Sequence, residues 1–157
     1  MMFDIRQAGL IERELDRYGS YASVTRGVSM RPLFKTDRDM VIISKPEGEL
    51  RPLDVALYRS RSGMYTLHRV IRVKENEYII RGDNTFVKEH IAKERIIGVL
   101  TEFNRKGKHR TVNDRSYRIY SSFWNFIYPL RYVLHLPRPI LGAIYRRLFK
   151  RKNKVSE

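Results

Sequence analysis

The sequence predicts a mainly β protein with helical segments at both ends. Between residues 24 and 103, short β-branched and aromatic runs are separated by turn-forming residues, without intervening helical periodicity. Before this region the chain has helical spacing of apolar residues, and after it the chain becomes basic and aromatic. We therefore expect an N-terminal amphipathic helix at residues 1–20, a β domain at 21–104 and a basic amphipathic segment at 105–157.

The helix prediction rests on residues 2–18, where apolar and charged residues take opposite positions. The apolar set is Phe3, Leu10, Ile11, Leu15 and Tyr18, and we expect the helix to end near Gly19. The segment lacks the apolar core of a signal peptide and is too charged to span a bilayer.

Five strands are predicted in the central region, each bounded by turn-forming residues. They cover residues 39–44, 54–59, 64–74, 77–81 and 96–103, with a tight hairpin at residues 75–76.

Charge is unevenly distributed along the chain. The net charge is +15, of which residues 1–104 contribute +3 and residues 105–157 contribute +12. The run at residues 105–110 is typical of a solvated linker. A basic tail of this kind favours an anionic surface, either nucleic acid or acidic lipid.

Aromatic residues mixed with the basic ones favour lipid, because Trp and Tyr prefer the headgroup level. The longest charge-free run, residues 119–130, has 12 residues, against roughly 20 needed to cross a bilayer. We therefore predict peripheral membrane association through residues 105–157, with a helical pattern continuing after Pro139. Packing on the β domain or on a partner is the alternative, and nucleic acid is the least favoured. The sequence does not decide which side of the membrane the protein contacts, and the cytoplasmic face is one of the two alternatives.

Three residues in chain order carry candidate chemistry. Ser29 supplies a hydroxyl, His68 an imidazole that could remove its proton, and Asp83 a carboxylate that could orient the ring. Each alone has a structural explanation as a turn residue or a half-buried strand residue. Their joint occurrence predicts a serine peptidase.

The motifs around these residues resemble the type I signal peptidase superfamily. Gly-Val-Ser-Met-Arg-Pro-Leu at residues 27–33 looks like its nucleophile box, and Leu-His-Arg-Val-Ile at 67–71 like the His box of its endoplasmic-reticulum and archaeal branch. Ile-Arg-Gly-Asp-Asn-Thr at 80–85 is similar to its Gly-Asp-Asn box, and Ile-Ile-Gly-Val at 96–99 to the strand that follows. The resemblance covers about residues 22–103.

The resemblance implies a signal-peptidase/LexA-like fold of coiled β-sheets and a Ser-His mechanism. Ser29 would be the nucleophile, His68 the general base and Asp83 the orienting acid, with Glu89 near the place of a second acidic residue. Since Val28 offers no side-chain donor, the oxyanion hole is expected from the backbone N–H groups of Ser29 and Met30. We expect no segment of this sequence to form the flanking transmembrane anchor of that family.

The expected function is a serine endopeptidase that cleaves signal or leader peptides, with a peptide or preprotein as its partner. A peptidase devoted to one substrate or to its own chain is an alternative, as is an inactive basic module that binds membrane or nucleic acid. No cofactor or metal is expected, because the four histidines have no ligand spacing and cysteine is absent.

Overall fold

The computed structural model describes residues 2–3, 8–60 and 62–135 and confirms a mainly β protein. Its strands are all paired antiparallel. They are Met2–Phe3 (β1), Ser20–Val24 (β2), Met40–Ser44 (β3), Val55–Arg59 (β4), Tyr65–Val73 (β5), Glu77–Arg81 (β6), Glu89–Ala92 (β7), Ile96–Arg105 (β8) and Lys108–Thr111 (β9). The helices are Ala8–Tyr18 (α1), Arg115–Phe126 (α2) and Tyr128–Leu134 (α3).

The strands form one sheet in which β5 lies between β4 and β6. The order is β2-β3-β8-β4-β5-β6-β7, with β1 added to β5 and β9 added to β8. Each of the five predicted strands is present, and the predicted hairpin joins β5 to β6, where Lys74 N–H donates to the Glu77 carbonyl at 2.9 Å. This order places His68, on β5, beside the strand that leads into Asp83.

Both faces of the central strand β4 are buried. Val55 and Leu57 belong to one apolar cluster and Ala56 and Tyr58 to a second, as expected for side chains that alternate along a strand. The first cluster also receives residues of α1 and of the loop after β2, so it supports that loop from below.

Helix α1 ends where the sequence predicts. Gly19 has φ +72° and donates its N–H to the Leu15 carbonyl at 3.0 Å, a glycine cap of the last turn. Ile11 and Leu15 are buried in the first cluster. The predicted start is wrong, because Met2–Phe3 form strand β1, which pairs with residues 65–66 of β5.

The expected linker at residues 105–110 is a β-hairpin. Lys106 and Gly107 have φ +54° and +75°, and this two-residue turn brings Lys108 opposite Arg105. The compact unit continues to Asn125, and a second unit comprises Phe126–Glu157. The division therefore falls after residue 125, where the sequence placed it after residue 104.

One face of helix α2 packs on the β domain, which is the alternative to membrane contact for this segment. Tyr117 and Ser121 are buried, whereas Ile119 and Phe123 are 59% and 56% exposed. Within residues 2–3, 8–60 and 62–135, no helix combines the length and apolar character that crossing a membrane requires. Peripheral membrane contact stays a prediction, and the pattern expected after Pro139 lies outside the described residues.

Candidate active site

Ser29 lies in a turn that the first apolar cluster holds in place. We call residues 27–33 the nucleophile turn, after the role that the sequence predicts for Ser29. Met30 and Leu33, together with the adjoining Phe34, are at most 2% exposed, while Ser29 itself is only partly buried. The Arg31 N–H donates to the Val28 carbonyl at 3.1 Å, and the Arg31–Pro32 peptide bond is cis. Apolar anchors on the C-terminal side thus fix a serine that remains accessible.

The segment after β6 fastens the nucleophile turn from the other side. The Asn84 N–H donates to the Ser29 carbonyl at 2.7 Å, and the Asn84 side-chain amide donates to the Val28 carbonyl at 3.3 Å. A Cβ atom on Gly82 would lie 2.7 Å from the Ser29 carbonyl oxygen and 3.1 Å from His68 Nε2. Glycine is required here because the two segments approach so closely.

His68 lies within hydrogen-bonding distance of Ser29. Its Nε2 is 2.9 Å from Ser29 Oγ, and its Nδ1 is 2.9 Å from Oε1 of Glu89. A carboxylate on Nδ1 favours the tautomer that carries its proton there, which leaves Nε2 as the acceptor of the serine proton. The structure therefore brings Ser29 and His68 together in the geometry of a nucleophile and its base.

Burial sets the protonation state of His68. The ring is 7% exposed. Burial lowers the pKa of His68 below its ordinary value, and the hydrogen bond with Glu89 opposes that effect. The imidazole is therefore neutral at pH 7, as a general base must be.

Glu89 occupies the place that the sequence assigned to Asp83. It is the first residue of β7, which pairs with β6 opposite Ile80, and this pairing positions the carboxylate behind the ring. The hydrogen bond with His68 lowers the pKa of Glu89, so the carboxylate is ionised and can orient the imidazole. The sequence had identified Glu89 only as an auxiliary acid.

Asp83 instead pairs with Arg69, the residue that follows His68. Arg69 Nε and Nη2 donate to the two oxygens of Asp83, both at 2.7 Å, and the residues are 1% and 3% exposed. A bidentate pair of this kind engages the edge of the carboxylate that a histidine would need. Glu89 therefore lies at His68 Nδ1, whereas Asp83 is held by Arg69.

Helix α2 completes the surroundings of the buried pair. Arg69 Nη1 donates to the hydroxyls of Tyr117 at 3.3 Å and Ser121 at 3.0 Å. Tyr120 OH donates to Oδ2 of Asp83 at 3.0 Å, and Trp124 Nε1 donates to the backbone carbonyl of Asp83 at 2.9 Å. The sequence had grouped these residues with a membrane-facing tail, although their spacing on one helix face is also the signal for packing.

Tyr58 is a further residue that the sequence did not identify. Tyr58 lies on β4, and its hydroxyl is 3.1 Å from Nδ1 of His68 on the neighbouring strand β5. In this pairing Ala56 is the residue opposite His68. Burial raises the pKa of Tyr58, so the phenol stays protonated and polar at the rear of the ring. Only the strand register brings it there, and no motif marks it.

The predicted oxyanion hole stays a prediction. The carbonyl oxygens of Val28 and Ser29 both accept hydrogen bonds, from Arg31 and Asn84. In a planar trans peptide the N–H points away from its carbonyl, so these bonds also fix the N–H directions of Ser29 and Met30.

A metal centre finds no candidate in the described part of the chain. Among those residues, no group of three or more His, Asp or Glu side chains is arranged to hold a metal ion. The expectation of a protein without metal or cofactor stays a prediction of the sequence.

No protein-family model matches this chain, and a search of curated proteins finds no significant match.

The close approach at Gly82 predicts a specific loss of stability. Because the added Cβ of Gly82→Ala meets the Ser29 backbone at 2.7 Å, we expect a cost of about 1–3 kcal/mol in the free energy of unfolding. Denaturant unfolding measures this cost. The control is Gly9→Ala in α1, where the nearest atom would be 3.9 Å away and helix propensity favours alanine by up to about 1 kcal/mol. Equal stability of the wild type and Gly82→Ala would contradict the close approach.

Proposed function

We propose that this protein is a serine endopeptidase in which Ser29 is the nucleophile, His68 the general base and Glu89 the orienting acid. The observation that carries the proposal is the Ser29 Oγ to His68 Nε2 distance of 2.9 Å, with Glu89 at 2.9 Å from the other ring nitrogen. Three groups distant in sequence thus form one hydrogen-bonded chain. Its polarity allows a proton to leave the serine as it attacks.

The reaction follows from this chain of hydrogen bonds. As Ser29 Oγ bonds to the scissile carbonyl carbon, its proton moves to His68 Nε2, and Glu89 stabilises the imidazolium. The oxyanion is to be met by the N–H groups of Ser29 and Met30. His68 then returns the proton to the leaving amine, and an ester on Ser29 remains. Water, deprotonated by the same nitrogen, hydrolyses this ester and regenerates the serine.

The superfamily assignment belongs to the same proposal. Three of the four motifs that resemble type I signal peptidases, at residues 27–33, 67–71 and 80–85, lie far apart in the sequence, and their residues meet at one place. We therefore propose a signal-peptidase/LexA-like fold and a signal or leader peptide as substrate. The resemblance alone implies Asp83 as the orienting acid, and the assignment of Glu89 rests instead on its contact with His68 Nδ1 at 2.9 Å.

Loss of either member of the Ser-His pair tests the proposal directly. With a leader-type peptide that has small residues before the cut, we expect Ser29→Ala and His68→Ala each to lower kcat/KM by about 10³-fold or more. Product formation is measured by mass spectrometry. The matched controls are Ser23→Ala, at a half-buried position like that of Ser29, and His109→Ala, at an exposed position; both should keep wild-type rates. Substantial activity in either site variant would rule out the assignment.

The role of Glu89 predicts a pH effect with a defined sign. Its hydrogen bond raises the pKa of His68 against the effect of burial. Glu89→Gln should therefore move the acidic limb of the kcat/KM profile to lower pH, and should reduce the plateau by about 10²-fold because the ring loses its orienting acceptor.

Glu102→Gln is the matched control for this experiment. Glu102 lies 2.8 Å from His109 in an exposed pair on the β8–β9 hairpin, and its replacement should leave both the limb and the plateau unchanged. An acidic limb that stays in place or rises in pH in Glu89→Gln would show that Glu89 does not act on His68.

A further inference from the structure

A cleft lies between the β8–β9 hairpin, α2 and the nucleophile turn, beside the candidate active site. Its volume is about 370 Å³, within the usual range for a small ligand. Phe103 and Tyr117, both buried in the first apolar cluster, contribute to its lining, and Leu33 contributes from the nucleophile turn.

Four cationic side chains line this cleft: Arg105, Lys106, Lys108 and Arg110. Within the part of the chain that the structure describes, the lining contains no carboxylate. Lys108 and Arg110 share one face of β9, whereas His109 on the opposite face already pairs with Glu102. Arg110 Nη1 lies 3.8 Å from Oδ2 of Asp114 and donates to the Ser116 hydroxyl at 3.3 Å. The positive charge of the cleft is thus largely uncompensated.

Arg105 provides an independent sign of a missing acceptor. Its Nη2 donates to the Pro32 carbonyl at 3.1 Å. Its Nε is buried and, among the described residues, has no hydrogen-bond partner. A buried donor without an acceptor is unfavourable, so binding of a ligand oxygen to this guanidinium is favoured.

We propose that this cleft binds a phosphate group. A phosphate supplies up to two negative charges and several acceptor oxygens, which suits four cations better than a single carboxylate does. The Ser116 hydroxyl also lines the cleft and adds a neutral donor, whereas the Tyr120 hydroxyl in the lining already donates to Asp83. The phosphate is carried by an acidic lipid headgroup or is free in solution. The site is separate from the peptidase chemistry and does not depend on it.

The chain contains a natural reporter for this site. Trp124 is the single tryptophan, and it stacks on the cleft residue Tyr120 with ring centroids 5.9 Å apart. Tryptophan fluorescence of the full chain is followed while inorganic phosphate, or dihexanoyl phosphatidylglycerol below its micelle concentration, is added at constant ionic strength. Sodium chloride serves as the control for screening.

Two matched double variants identify the location. Lys108→Glu with Arg110→Glu reverses two exposed cleft charges and should weaken binding by about tenfold or more. Lys108→Gln with Arg110→Gln neutralises the same charges and tests the site if the first variant does not fold. Lys45→Glu with Lys74→Glu makes the same charge change at exposed residues outside the cleft and should bind as the wild type does.

A saturable response to phosphate that the cleft variants lose supports the site with free phosphate as ligand. The same loss with the lipid alone supports a headgroup ligand. No saturable response to either probe, a response that chloride reproduces, or equal weakening in the Lys45 and Lys74 control overturns the proposal.

Discussion

The rest of the site depends on the buried ion pair between Arg69 and Asp83. Arg69 lies next to His68 on β5, and Asp83 lies between Gly82 and Asn84, which contact the nucleophile turn. The pair therefore ties the strand of the base to the segment that holds the serine. Two charges removed from water are unfavourable unless every polar group finds a partner, and removal of one member costs about 3–5 kcal/mol.

Helix α2 and the loop before β4 supply those partners. The Arg69 guanidinium also donates to the Leu53 carbonyl at 2.9 Å. On α2, the Ser121 hydroxyl accepts a hydrogen bond from Arg69, and the Tyr120 hydroxyl donates one to Asp83. This explains why the compact unit continues to Asn125. The first part of the basic segment is thus a component of the site, whatever its exposed face binds.

Much of the fold and half of the site could be predicted from the sequence, for identifiable reasons. The β3 to β6 strands are short runs rich in β-branched and aromatic residues, with clear turn residues at their ends. Ser29 and His68 stand in motifs distinctive enough to be paired. The choice between Asp83 and Glu89 could not be made, because it depends on which carboxylate β6–β7 pairing brings to Nδ1 and which one Arg69 engages.

The remaining differences come from patterns with two physical solutions. A helix with aromatic residues on one face and basic residues elsewhere suits a membrane surface or a protein core equally, and the inner face of α2 takes the core. The lysine and glycine at the hairpin turn lie within a charge run that is typical of a linker. The turn is recognised only from the structure, in which Lys106 and Gly107 have positive φ angles.

The protonation state of His68 tests the central claim most directly. Ring nitrogen NMR of the histidine-labelled protein, with His68→Gln for assignment, measures both its pKa and its tautomer. We predict a pKa below the ordinary value of 6.5, with the proton on Nδ1 facing Glu89 and Nε2 unprotonated at pH 7. A neutral ring protonated on Nε2 would contradict a base poised to accept the proton of Ser29, and a pKa at or above 6.5 would contradict the effect of burial on this ring.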